Sequence, residues 1–583
     1  MFGLGILDLI ALFGYLIGIT ALGVWMARTV KDSSDFFVGG RRFGKVMAIF
    51  SVFGAGTHSD QAVSVVAKTY TSGMSGIWYQ WLWLFVTPFN WWISPILRRC
   101  RAITTGDYFE ARYNRGVATL YVVVGILILM VSIGVMLKGA GAVIEATTAG
   151  QVDQNWAIAL MTLLFVTYGV AGGLAAAIVT DFVQGMLTIV FSFILLPFAL
   201  YKIGGFAGLH DGVARAVEAM QVVDPSVPDA SGWWSLVAPG EIGLFYIIMI
   251  IINALVGIVT QPQCMPLAGA VKTERESQIG SVYGTMIKRV CTVAWTLLGM
   301  YAIATYPGLT EPSQIDQCFG KIAHDLLPQM APGLVGIFLA ALLASMMAAC
   351  DALMITCAGL FTQNIYRPFI APHAKQGHLV NIGRVAAALT VAGGVLISFT
   401  LTDVVSGLEL FWQVAAMMGI AFWAGLFWRR ATSAGAWAAT VFGFGVVYLT
   451  SRSWFVEWAR HNAVWMLFTP DAAKIYFPIQ ILMYLAGGVV AMVVVSLLTS
   501  PPGKEKLDRF YETLRTPVEP REKLDQPVRL PAGKQPAPQH KLINHPDWEI
   551  QFPTRRGIIG FLWAWLMVFG LIGIVWVLVR IGA

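Results

Sequence analysis

Ser51-Val-Phe-Gly-Ala-Gly-Thr-His-Ser-Asp-Gln61 interrupts an apolar stretch of membrane-spanning length, residues 46–72. Gly54 and Gly56 loosen a helix there, and Thr57, His58, Ser59, Asp60 and Gln61 then follow as an unbroken polar run. An ionisable residue at mid-bilayer costs about 2.5–3.5 kcal/mol on insertion scales. Irregular backbone at that depth persists only where it is buried in protein or lines a cavity. A broken, polar-centred spanning helix therefore marks a substrate or ion site and points to a transporter.

Composition agrees. The 583 residues are 57% hydrophobic and 12% charged, with a mean hydropathy of +0.69, whereas soluble domains carry about 25% charged residues. The surroundings implied are a lipid bilayer. The net charge of +7 is no sign of a nucleic-acid partner, because the basic residues sit between apolar segments. Cysteines at 100, 264, 291, 318, 350 and 357 form no CxxC pair and read as free thiols, neither a disulfide framework nor a metal site. Met1–Ala27 lacks a basic leader and an A-x-A cleavage site, so it is expected to be a first spanning helix.

Windows of about 20 apolar residues predict an all-α polytopic membrane protein with about fourteen spans: 4–27, 46–72, 76–97, 116–148, 156–174, 177–201, 242–264, 290–307, 333–366, 385–402, 407–428, 434–452, 475–499 and 557–581. Only the small-residue run A-G-G-L-A-A-A separates the fifth from the sixth. Basic residues gather in alternate loops: Arg28, Lys31, Arg41, Arg42 and Lys45; Arg98, Arg99, Arg101, Arg112 and Arg115; Lys272, Arg275, Lys288 and Arg289; then Arg367, Lys375, Arg384, Arg429 and Arg430. By the positive-inside rule these loops are cytoplasmic. An even span count then puts both termini outside, extracellular or periplasmic, in a plasma membrane of the bacterial inner-membrane type. Residues 500–556 are a cytoplasmic loop that opens with a short surface helix. His540 and His545 within it are too isolated for a metal site.

A second interruption falls in 242–264, where Asn253, Gly257, Thr260, Gln261, Pro262, Gln263 and Pro266 break the apolar run. Proline removes a backbone donor and clashes with the carbonyl four residues back. Interruptions at matching places in two halves indicate an inverted repeat, although ordinary kinks are the competing explanation. The chain then divides into 1–45 (first helix and cytoplasmic loop), 46–201 (first half), 202–241 (outer loop), 242–428 (second half), 429–499 (two accessory helices), 500–556 (cytoplasmic loop) and 557–583 (last helix). Other intramembrane polar groups are Lys138, Glu145, Asp181, Gln184, Asp351, Thr356, Glu409 and Gln413. Glu145 and Glu409 read as solvated outer-end residues. Asp60 and Asp351 are deepest and need a partner, a cation or a proton. His58 is a possible proton carrier near neutral pH, with a structural histidine as the alternative.

Four stretches resemble the sodium:solute symporter family: S-S-D-F-F-V-G-G-R-R before the first break, Y-G-V-A-G-G-L-A-A-A-I-V-T-D-F-V-Q-G, the ninth span ending F-T-Q-N-I-Y-R, and L-D-R-F-Y-E-T-L-R-T-P-V in the tail. The resemblance implies a LeuT-type inverted repeat of five plus five helices with flanking spans. It implies secondary active transport of a small polar organic solute, driven by a monovalent cation through alternating access. It also implies a sodium site with backbone oxygens of Gly54 and Thr57, near Asp181 and the ninth-span positions Ser345, Ala348 and Ala349. The hydroxyls expected at the last two are absent, leaving Ser345, Asp351 and Asp181 as the remaining donors. The solute positions it implies are Asp60, Gln61, Gln80 and Trp83; Asn253 and Gln261 join them from the second break. Gln80 in place of a glutamate and Trp83 in place of a serine argue against a sugar. Proton coupling through His58, Asp60 or Asp181, uncoupled exchange, and a non-transporting membrane sensor are the alternatives. No fused signalling domain, nucleophile–base motif, cofactor motif or metal-ligand spacing is visible, so an enzyme is not expected.

Overall fold

The computed structural model describes residues 4–27, 43–225, 227–238, 242–520, 522 and 526–582. The first resemblance motif and the basic residues Arg28, Lys31, Arg41 and Arg42 lie outside them. Among the described residues the chain is helical, with isolated β-bridges only.

The helices used below are α1 (Ile6–Ala27), α2 (Lys45–Gly56), α3 (Ser59–Ser72), α4 (Asn90–Arg99), α5 (Arg115–Thr147) and α6 (Gln154–Phe193). The second half supplies α7 (Leu244–Gly257), α8 (Cys264–Ala270), α9 (Glu274–Thr305), α10 (Leu334–Phe361), α11 (Gln376–Thr400) and α12 (Val404–Met417). After these come α13 (Gly419–Phe427), α14 (Ser433–Thr450), α15 (Phe477–Leu498), α16 (Lys504–Arg515) and α17 (Arg555–Leu578). Nine helical segments among the described residues are long and apolar enough to cross a bilayer, ten if the bent pair of α7 and α8 is one span. The other expected spans are the first, whose apolar part is the shorter Ile6–Leu22; the second and third, which are interrupted; and the fifth.

Both expected breaks are present. Thr57 (φ −129°, ψ 110°) and His58 (φ −141°, ψ 169°) are extended and separate α2 from α3. In the second half, α7 passes into a turn at Ile258–Thr260, and Gln261 is extended (φ −64°, ψ 117°). Pro262 accounts for that, because its ring drives the preceding residue out of the helical region. The chain bends by 60° before α8. The third expected span, 76–97, is a chain of short helical pieces: Gly73–Ile77, Trp78–Trp81, Thr87–Phe89 and α4.

The fifth and sixth expected spans share one run of helical backbone, Gln154–Phe193. Alanine is the best helix former, and no proline interrupts A-G-G-L-A-A-A, so no loop forms there. The side chains of 164–165 and 167–176 are outside the described residues. A straight helix of 40 residues would be about 60 Å long. Yet Gln154 Nε2 donates to the Lys138 carbonyl at 3.0 Å, Thr147 Oγ1 to that of Gly320 at 3.5 Å, and the Phe191 ring lies 5.2 Å from Phe319. This chain of contacts, through α5, is shorter than a straight helix of that length. The segment is therefore bent, not a straight rod.

The core packs α6 against α10, α2 against α9, and α1 against both α6 and α10. Several arginines expected in wet cytoplasmic loops are buried ties. Arg98 donates to the carbonyls of Gly269 (3.1 Å) and Lys272 (2.8 Å). Arg112 donates to those of Gly425 and Trp428, both at 2.8 Å. The expected tail helix is α16, whose Leu507, Phe510, Tyr511 and Leu514 are buried. Tyr511 donates to the Gly425 carbonyl at 2.8 Å.

Candidate functional site

The two breaks face one cavity, of about 140 Å³. His58, Asp60 and Gln61 from the first break, Gln261 and Gln263 from the second, and Gln80 and Trp83 between them line it. Thus Asp60, Gln61, Gln80, Trp83 and Gln261 converge as expected. Asn253 does not line it. Its amide Nδ2 donates to the Trp412 carbonyl (3.2 Å) and its Oδ1 accepts from Tyr484 (2.7 Å), so its polar atoms bind helices together.

The first break is held by its own polar side chains. His58 Nδ1 pairs with Asp60 Oδ1. Gln61 Nε2 donates to the Gly56 carbonyl at 3.0 Å and stands 3.2 Å from His58 Nε2. The Lys288 ammonium donates to that same Gly56 carbonyl, at the C-terminal end of α2 where the helix dipole is negative. Asp60 lies within electrostatic reach of Lys288. Beside it, Arg289 Nη1 donates to the Gln80 carbonyl at 2.6 Å.

Lys288 and Arg289 are the cavity-lining residues that sequence reasoning missed. They were assigned to a cytoplasmic loop ahead of a span at 290–307, but α9 begins at Glu274 and carries both at depth, 8% and 2% exposed. The apolar window started late because the first half of α9 turns a polar face to the cavity. The missed signal is helical spacing: Ser277, Ser281, Thr285, Lys288, Thr292 and Thr296 recur every three or four residues on one face.

Several buried cavity acceptors have no partner: Asp60 Oδ2, Gln61 Oε1, Gln80 Oε1 and Gln263 Oε1. A buried polar atom left unpaired costs about 1–3 kcal/mol, so this wall is built to receive donors. Trp412 and Phe411 add an aromatic side. Behind the lining Trp412, whose ring lies 5.3 Å from that of Tyr79, Tyr79 donates to Glu409 Oε1 at 2.7 Å, with Tyr246 Oη at 2.8 Å from Tyr79 Oη. Glu409 is thus a half-buried partner of two tyrosines, not a solvated end residue. Elsewhere the lining runs past Ser94, Leu97 and Ser281 toward Arg98 and Lys272.

Of the expected ion-site residues, Gly54, Ala348 and Asp181 meet. A Cβ built on Gly54 would stand 3.5 Å from Ala348 Cβ and 3.6 Å from Asp181 Cβ. Asp181 Oδ2 accepts from Ser51 Oγ at 3.2 Å. Ala348 and Ala349 are fully buried and offer no side-chain oxygen. Ser345 spends its hydroxyl on the Leu342 carbonyl of its own helix, 2.8 Å away. Thr57 Oγ1 is buried without a partner.

The chain is similar to the sodium/glucose cotransporter of Vibrio parahaemolyticus, 25% identical over 461 residues, 74% of this chain and 83% of that one. It is similar to the osmoregulated proline transporter OpuE of Bacillus subtilis (strain 168), 24% identical over 525 residues, 86% and 97% of the two chains. Among solved structures, a substrate-bound, outward-open Na+-coupled sialic acid symporter matches with a TM-score of 0.66 at 18% identity, covering 86% of this chain and 99% of that one. That likeness gives the fold, the LeuT type expected from the sequence. The family's sequence profile matches residues 36–443. With the paired breaks and the cavity between them, this match establishes that the chain belongs to the sodium:solute symporter family.

Proposed function

We propose that the protein is a sodium-driven symporter that binds a small polar organic solute between the two broken helices and moves it by alternating access. The observation that carries this is the cavity at the breaks, with its unpaired acceptors on Asp60, Gln61, Gln80 and Gln263. A solute rich in hydrogen-bond donors, hydroxyl or ammonium, satisfies them. Family members carry sugars, proline, pantothenate and sialic acid by their names, which sets the panel to screen. Gly54 and Thr57 carbonyls supply oxygens to the coupling ion, and Asp181 lies beside them.

The face bearing Arg98, Lys272, Arg429 and Arg430 is cytoplasmic, and both termini are outside, in the plasma membrane. The cavity then opens toward the cytoplasm, and the Tyr79–Glu409–Tyr246 contact closes the outer side. His58, paired with Asp60, holds the break; proton transfer through this pair is the second reading.

The test is ligand-induced thermal stabilisation of purified protein by the panel, with and without sodium, because a ligand bound to the folded state raises stability by mass action. A hit whose stabilisation needs sodium supports the proposal. Stabilisation indifferent to sodium across the panel, together with uptake driven by a pH gradient alone, overturns the sodium coupling.

A further inference from the structure

An apolar groove of about 600 Å³ lies behind the solute cavity and shares only Ile93 with it. Side chains of α4, α7, α13 and α15 wall it, and all of them are apolar or aromatic. Val489 and Val493 of α15, 48% and 39% exposed, put its open side toward the bilayer. Ile420 to Phe427 carry it along α13 for about 10 Å, most of the roughly 15 Å of hydrocarbon in one leaflet. It ends at Trp428, on the face read above as cytoplasmic. There the tail roofs it. Trp428 forms an antiparallel bridge with Trp548, the Arg429 amide donates to the Asp547 carbonyl (2.8 Å), and the Glu549 amide donates to that of Phe427 (2.9 Å). The same part of the tail leaves Leu542, Ile543, Trp548 and Phe552 exposed. Apolar side chains gathered on a surface mark a contact, and aromatic ones at the end of a membrane helix sit among lipid headgroups.

Positive charge collects at this mouth. Trp423 Nε1 spends its hydrogen on the Leu255 carbonyl (3.2 Å), but Trp92 Nε1, also in the groove wall, is buried without a partner. A Cβ built on Gly557 would stand 3.8 Å from that nitrogen, so the first turn of α17, with Arg555 and Arg556, borders the same edge. Both arginines are exposed, and among the described residues no carboxylate pairs with them. Cations at a helix N-terminus oppose the helix dipole, so they do not serve α17 itself. Across the mouth, Arg430 donates to the carbonyls of Thr499 (2.9 Å) and Leu497 (3.1 Å) at the end of α15 and likewise has no carboxylate partner. Asp508 and Glu549 are both taken by Arg429, which leaves Asp547 against three arginines. Guanidinium groups and an indole N–H beside a hydrocarbon-lined groove fit an anionic, acceptor-rich head on an apolar chain.

We propose that the groove is a binding site for one anionic phospholipid of the cytoplasmic leaflet. An acyl chain lies between α4, α7, α13 and α15, and the phosphate meets Trp92 Nε1, Arg555 and Arg556, with Arg430 across the mouth. The chain reaches the transport core at Leu255 and Val256, directly ahead of the second break. The site depends on neither the solute nor the coupling ion.

The experiment is native mass spectrometry of the full-length protein in detergent, titrated with phosphatidylglycerol, with phosphatidylethanolamine of the same chains, or with glycerol 3-phosphate. One saturable phosphatidylglycerol adduct is expected, about tenfold tighter than phosphatidylethanolamine, and none with glycerol 3-phosphate. Arg555→Gln combined with Arg556→Gln is expected to weaken phosphatidylglycerol about tenfold, because each cation near the surface adds attraction for an anionic lipid, and to leave phosphatidylethanolamine unchanged. Ala424→Trp fills the groove without touching the charges and is expected to weaken both lipids, with thermal unfolding in lipid-free detergent unchanged. Should that variant unfold early, Val489→Trp on the open side of the groove makes the same test. Phosphatidylglycerol bound no better than phosphatidylethanolamine, adducts that never saturate, or binding unchanged in the arginine and groove variants overturns the site. A second copy or another polypeptide held by the unsubstituted protein and lost in Ala424→Trp overturns the assignment to lipid.

Discussion

Asp60 is fully buried and accepts from His58 while its second oxygen faces the cavity unpaired. Asp60→Asn therefore removes charge where solute and Lys288 both meet it. The expected outcome is solute affinity about tenfold lower or worse, in the range for a lost charged hydrogen bond, read from thermal stabilisation curves. Gln61→Ala is expected to act in the same direction, since Gln61 bonds the Gly56 carbonyl and offers its own oxygen to the cavity. If both variants bind solute like the unsubstituted protein, the solute lies elsewhere. These residues were legible because five polar side chains in a spanning segment have no other use. Lys288 was not, because a lysine near a predicted helix end is indistinguishable from a loop lysine by hydropathy alone; only its helical register places it on the cavity face. Asn253 misled for the opposite reason: its polarity serves Trp412 and Tyr484.

At the scale of elements, the breaks were readable from glycine, proline and polarity, while the shattered third span was not. Its tryptophans keep it apolar, so hydropathy sees 76–97 as one helix. That segment carries Tyr79, which donates to Glu409 next to the lining residues Gln80 and Leu408, the contact proposed above as the outer closure. Tyr79→Phe removes the donated bond and is expected to shift the protein toward the opposite opening. Greater thiol-reagent labelling of a cysteine placed at Trp412, in a cysteine-free background, would report it; unchanged labelling would show that the contact is no gate.

The tail is a second element whose role the sequence hid. Arg101 Nε meets Glu522 Oε1 at 2.5 Å, and Lys534 Nζ meets Oε2 at 2.6 Å. Burial alone would raise the Glu522 pKa, but the bonds from Arg101, Lys534 and the Glu519 amide outweigh it and hold the carboxyl at about 2, against an ordinary 4.5. A depressed folded-state pKa means stability that is fully present above 4.5 and lost as pH falls toward 2. Glu522→Gln is expected to lower the melting temperature at neutral pH, with the gap to the unsubstituted protein narrowing on acidification below about 4.5. A gap constant with pH would mean that the ion pair does not anchor the tail.

For the whole molecule, loop charge and span count indicated an even number of crossings, and residues 154–193, a single bent run of helical backbone, decide that parity. A small-residue run without proline carries no turn signal, which is why the connection was the least legible of all. Reporter fusions at the two ends are expected to place both outside; opposite sides would mean that 154–193 crosses once. The coupling ion was also hard to read, because alanines stand at 348 and 349 where the resemblance expects hydroxyls. The most direct measurement is uptake, into proteoliposomes, of the solute chosen by thermal stabilisation, comparing an inward sodium gradient at clamped pH with an inward proton gradient in sodium-free buffer. Accumulation under the sodium gradient and none under the proton gradient is the predicted result. Accumulation under the proton gradient alone, or mere equilibration under both, would contradict sodium-driven symport.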